Sequence, residues 1–108
     1  MSKIILTLLM TFSMIANAQI VVTEFNAEWN AANQVDWLSK LSDCNITKVD
    51  ITKEAKLQQK HKVVIVPTII IFKDGEEIKR YQADLSFKML ATKKELQEFI
   101  NEQIMSDF

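Results

Sequence analysis

The sequence predicts a three-layer α/β sandwich with element order βαβαββα and a mixed sheet, and three observations point to it. Residues 20–25 and 63–72 are apolar and β-branched at nearly every position, the pattern of strands covered on both faces. Helical stretches separate the first strands, which implies right-handed parallel crossovers. The Asp74-Gly75 pair marks a tight hairpin, because both central residues tolerate positive φ, so the last two strands are antiparallel.

Residues 20–25 form the first strand. Asn30 is a good N-cap for a helix reaching about Leu41, with Val35, Leu38 and Leu41 at three-residue spacing and Trp37 beside them, until Asp43 and Asn45 break the pattern. Residues 46–51 alternate enough for a second strand. Thr52 can cap a short helix over residues 53–60 with Ala55 and Leu57 inward. In the run 63–72, Pro67 cannot donate to a ladder, so the strand proper begins there. Residues 77–83 are more polar and suit an edge strand. Thr92-Lys93-Lys94-Glu95 is a capping box, and Leu96, Phe99, Ile100 and Ile104 make the apolar stripe of a closing helix. Trp37 and Phe99 are assigned to the core.

The chain has 108 residues, 48% apolar and 25% charged, which is the composition of a folded domain. One Pro and one Gly leave no room for a flexible linker, so the body reads as one domain. Thirteen basic against fourteen acidic residues give no electrostatic case for nucleic acid or an anionic membrane as partner. The first eighteen residues stand apart: Lys3, an apolar run over 4–15, then Ala16-Asn17-Ala18, a small-x-small cleavage pattern. They read as a secretory signal peptide cut after Ala18, leaving a domain over 19–108 in the periplasm or outside the cell. The alternative is a cytoplasmic chain that retains the segment. The run is too short for a permanent membrane span, and no cysteine at the cleavage point offers a lipid anchor. Asn45-Ile46-Thr47 is a formal glycosylation sequon, relevant only in a eukaryotic secretory route.

Candidate chemistry is sparse. Cys44 is the one cysteine, so no internal disulfide forms, and no basic cluster flanks it to lower its pKa. His61 lies between Lys60 and Lys62, which argues for solvent exposure, and with no second His no metal site is expected. Lys53, Lys56, Lys60 and Lys62 read as a solvated face. No Gly-rich phosphate loop, Ser-His-Asp order or glycosidase carboxylate pair stands out, and no cofactor is expected. Glu24 on a strand buried on both faces must be protonated, hydrated or paired.

The stretch Thr23-Glu24-Phe25-Asn26-Ala27-Glu28-Trp29-Asn30-Ala31-Ala32-Asn33 resembles the strand and Trp-Cys-x-x-Cys helix start of the thioredoxin superfamily, with both cysteine positions, 30 and 33, held by asparagine. Val66-Pro67-Thr68 is similar to the family's cis-proline loop, and Lys73-Asp74-Gly75-Glu76 to the hairpin after its central strand. The resemblance spans residues 20–104 and leaves the family's first strand and helix without residues in a chain starting at Gln19. It implies that Glu24, with Lys48 on the neighbouring strand, stands where the family keeps a buried acid and lysine near its redox cysteine. It also implies that Val66, before Pro67, presents its backbone to an extended peptide.

The departure at Asn30 and Asn33 bears on function, because thiol-disulfide exchange needs an attacking thiolate and a resolving thiol, and a carboxamide is neither. The expectation is a redox-inactive module that binds a peptide or partner protein against Trp29, Asn30, Val66 and Pro67. The alternatives are a thiol-disulfide oxidoreductase or redox sensor acting through Cys44, in the form of a disulfide-linked dimer, and a structural subunit of an envelope assembly.

Overall fold

The structure is a computed structural model that describes residues 19–107; the expectations for the segment 1–18 lie outside those residues. Strands β1 (Ile20–Asn26), β2 (Asn45–Asp50), β3 (Thr68–Lys73) and β4 (Glu76–Gln82) form one sheet in the order β2-β1-β3-β4. β1 pairs parallel with β2 and antiparallel with β3, and β3 pairs antiparallel with β4. The sheet is therefore mixed, and the polar β4 is an edge, as expected. Only the first crossover is parallel, however. The helix after β2, α1 (Ala55–Lys60), has six residues and advances about 9 Å, and the segment after it stays at the pole where β2 ends. β3 starts there and runs antiparallel to β1.

Side chains alternate across the sheet and build two cores. On one face Ile20, Val22, Ile69 and Ile71 meet Val35, Leu38, Leu41, Leu96 and Ile100. On the other, Phe25 and Ile70 meet Ala27, Val63 and Val66, with Leu57 packed against them. The closing helix α2 (Lys93–Met105) begins as the capping box predicts, the Thr92 hydroxyl accepting the Glu95 N–H at 3.2 Å. Leu96 and Ile100 are fully buried, and Phe99 and Ile104 are packed at the margin of the core. At the hairpin Asp74 and Gly75 have φ of 53° and 83°, the pair of positive values that the two-residue turn requires.

The predicted helix over 30–41 is not formed. The chain makes a 3-10 turn over Glu28–Asn33 and a second over Leu38–Lys40, with Gln34 extended between them. The spacing that suggested an α-helix was three residues without the four-residue partner, which is the period of the 3-10 form, and Val35, Leu38 and Leu41 are indeed buried. Asn30 is not the cap. It lies inside the first turn at φ −111°, ψ 21°, and the helix-competing carboxamides of this stretch bond to one another and to local backbone.

Two smaller expectations also change. Thr52 does not cap α1; its hydroxyl and its N–H both donate to the Asp50 carboxylate, at 2.5 and 2.9 Å, and the helix starts later, with Ala55 exposed. His61 is half-buried, not exposed, its ring lying 5.6 Å from that of Phe25 and 5.2 Å from that of Phe72. The cause is the end of α1. Lys62 takes φ 53°, its N–H donating to Gln59 and that of Val63 to Gln58, a paired closure that folds His61 back over the second core. Arg80 holds it there by donating to the His61 carbonyl at 2.6 Å. No helix among the described residues is long and apolar enough to cross a membrane.

Candidate functional site

The site lies at the pole where β1 and β2 end and β3 begins. β1 delivers Asn26, the 3-10 turn delivers Trp29, Asn30 and Asn33, and the approach to β3 delivers Val66 and Pro67. The Val66-Pro67 peptide bond is cis. Ala83 extends the β3–β4 pairing by donating its N–H to the Pro67 carbonyl at 3.1 Å, and the chain then forms a loop over residues 84–88.

Asn30 is 4% exposed, and both hydrogens of its amide group are used. Its Nδ2 donates to Asn26 Oδ1 at 3.1 Å and to the Phe87 carbonyl at 3.2 Å, while its Oδ1 accepts from Asn33 Nδ2 at 2.9 Å. Asn26 Oδ1 also takes the Ala27 N–H at 2.9 Å, and the Asn30 N–H goes to the Ala27 carbonyl. Positions 30 and 33 are thus adjacent and joined by a chain of carboxamides. Trp29 is 63% exposed and meets Phe87 edge to face, centroids 5.1 Å apart. The loop carrying Phe87 is shaped by its own bonds: Asp84 Oδ1 accepts from Ser86 N, Ser86 Oγ and Lys88 N. Phe87 itself sits at φ 64°, uncommon for a bulky residue.

Val66 is 4% exposed as a whole residue, and its side chain, packed in the second core, offers nothing to a ligand. Its N–H and C=O have no hydrogen-bond partner among the described residues, since strand pairing begins at Thr68 and the Pro67 carbonyl takes the Ala83 N–H. Thr68 Oγ1 steadies the approach by donating to the Ile65 carbonyl at 2.6 Å.

Glu24 is 2% exposed and lines the base of a cavity of about 210 Å³ beneath the 3-10 turn, with Gln34, Lys48 and Asp50 among the other lining residues. Lys48 stands opposite it in register on β2, but its side chain is exposed and the two form no ion pair within 4.0 Å. The firm partner is the Val35 N–H, which donates to Glu24 Oε2 at 2.8 Å. Burial pushes the carboxyl above its ordinary value, and the Val35 N–H and the Lys48 charge pull it back in part.

Cys44 is half-buried against the first core, and burial together with neighbouring Asp43 pushes its thiol up. It precedes Asn45, which pairs with Val21 at the start of β1, whereas Asn30 follows the end of β1. About five strand residues, roughly 17 Å, separate the two poles. Cys44 is therefore not part of this site.

Sequence reasoning passed over Asn26 and Phe87. Asn26 had a signal, the spacing of Asn26, Asn30 and Asn33 that stacks residues on one face of a helical turn. Phe87 had none, because its contact with Asn30 spans 57 residues.

A thioredoxin family model matches residues 7–102, a span that begins inside the segment read as a signal peptide. A chloroplast thioredoxin Y1 of Arabidopsis thaliana is 31% identical over 77 residues, covering 65% of this chain and 45% of that protein. The chain thus spans under half the length of this relative. A thioredoxin of Fasciola hepatica superposes with a TM-score of 0.58 at 27% identity, over 87% of this chain and 89% of the other. A mutant thioredoxin of Halobacterium salinarum gives 0.63 at 23% identity, over 80% and 75%, a likeness of fold.

Proposed function

This chain belongs to the thioredoxin family, and on that premise we propose that it is a redox-inactive binding module acting outside the cytoplasm, which holds an extended peptide or a segment of a partner protein beside Pro67. The ligand strand pairs with the free N–H and C=O of Val66, as in strand addition, and lies against Trp29. The observation that carries this reading is the state of positions 30 and 33. Both hold carboxamides bonded to each other, and the single cysteine, Cys44, sits at the other pole with a thiol pushed up by burial. The second reading, catalysis through Cys44, lacks a comparable support, since a raised thiol pKa leaves less thiolate to attack a disulfide.

The test has two arms. The protein is expected to show no dithiol-dependent reduction of insulin, and the double variant Asn30→Cys, Asn33→Cys to acquire it. In the second arm, titrating isotope-labelled protein with the carboxymethylated insulin B chain, an unfolded peptide without free thiols, shifts the amides of Trp29, Asn30 and Val66 ahead of those around Cys44. Steady insulin reduction by the native chain that disappears in Cys44→Ser overturns the proposal. The N-terminal residue of the protein isolated from its host tests export: a start at Gln19 is the expected result.

A further inference from the structure

The polar atoms of Asn30 have more partners than a helix cap would use. One Nδ2 hydrogen goes to Asn26 within its own segment, but the other goes 57 residues along the chain to the Phe87 carbonyl. The loop it reaches carries Phe87 at φ 64° and Leu85 at 92% exposure. Its internal bonds run through Asp84, and its two flanks are joined by the Ala83–Met89 bridge, with Met89 packed at the margin of the first core; none of these reaches the tip at residues 85–87 from the site side. Its attachment at the site end consists of the Ala83 N–H on the Pro67 carbonyl, the Asn30 bond, and the edge-to-face contact of Phe87 with Trp29. A thiol at position 30 offers one weak donor and could not serve Asn26 and Phe87 together.

We propose that Asn30 is a positioning residue of the binding site: through the Phe87 carbonyl it fastens loop 84–88, and so sets the Trp29–Phe87 wall against which an apolar side chain of the bound peptide lies. Asn33 completes the fastening, its Nδ2 directed at Asn30 Oδ1, which leaves the Asn30 amide group turned toward Asn26 and Phe87. The asparagines at the degenerate redox positions thereby hold a wall in place. The ligand class follows from what they hold, an extended peptide with an aromatic or branched aliphatic residue next to the segment that pairs with Val66. This rests on the binding reading above.

Asn30→Asp separates the fastening from packing, because the side chains are nearly the same size and differ in the donor. At neutral pH the ionised carboxylate of this variant turns an acceptor toward the Phe87 carbonyl and Asn26 Oδ1, and on protonation it regains one O–H donor. Loss of the bond is expected to lower amide-exchange protection over residues 85–88 about tenfold in this variant at neutral pH, with β3 protection changed less. It is also expected to weaken binding of the carboxymethylated insulin B chain by a similar factor, and acidification to restore both in part. Asn30→Ala loosens the same loop at every pH. Unchanged protection over 85–88 in Asn30→Asp overturns the proposal, as does a uniform loss across the whole chain. If the loop responds as described but the native protein does not take up the B chain, the fastening stands and the binding reading is what falls.

Discussion

Glu24 shows how much a single side chain depends on where its strand is placed. The nearly continuous apolar run of β1 was enough to expect a buried acid, and Glu24 is buried; Lys48, which the resemblance placed near it, stands opposite in register but is exposed and forms no ion pair with it. The sequence did not disclose the partner that matters, the Val35 N–H, which is available because the chain leaves the 3-10 turn extended at Gln34. The raised carboxyl makes a prediction about stability. Because the folded value lies above the ordinary 4.5, the native state holds a proton that the unfolded chain releases, so this contribution is complete below pH 4.5 and is lost as pH rises through the raised value. Glu24→Gln keeps an acceptor for Val35 and removes the charge. Its urea midpoint should exceed that of the native protein at neutral pH, with the difference vanishing below pH 4.5; an advantage that persists in acid would assign the effect to packing instead. Asn30 illustrates the opposite case. Its cap role was inferred from propensity alone, and tertiary contacts with Phe87 reassigned it.

At the scale of elements, the signals that held were those with two local observations behind them. Thr92 with Glu95 marked the start of α2, and Asp74-Gly75 marked the hairpin. The first helix rested on three-residue spacing and one candidate cap, and the same pattern fits 3-10 turns. α1 ends without a glycine: Lys62 adopts the left-handed conformation that closes the helix and turns His61 onto Phe25 and Phe72. That conformation costs an ordinary L-residue about 1 kcal/mol that glycine avoids, and the two bonds from Arg80 go to main-chain carbonyls of His61 and Lys62. Lys62→Gly is therefore expected to stabilise the protein by up to about 1 kcal/mol, less the extra entropy of glycine in the unfolded chain, measured as a higher denaturant midpoint at unchanged slope.

Over the whole molecule, β1 and β3 each contribute to both cores; in β3, Ile69 and Ile71 face one and Ile70 the other. Ile70 packs in the same cluster as Val66, so its truncation loosens the seat of the free Val66 backbone as well as the core. Ile70→Ala should cost about 2–5 kcal/mol and still unfold in one transition followed by fluorescence and far-UV dichroism, because the two cores share a sheet. Two separate transitions would mean that the faces unfold independently. The edge character of β4, the apolar stripe of α2, the Asp74-Gly75 hairpin and the absence of a cysteine pair were properties the amino-acid sequence determined alone, since each rests on residues close together in the chain or on composition. The 3-10 form of the segment after β1 follows from short-range bonds that three-residue spacing does not distinguish from an α-helix. The direction of β3, the burial of His61 and the meeting of Asn30 with Phe87 were decided by tertiary structure. The direction of β3, the contact of His61 with Phe25 and Arg80, and that of Asn30 with Phe87 join segments distant in sequence, and local periodicity carries no information about which of them will share a pole of the sheet.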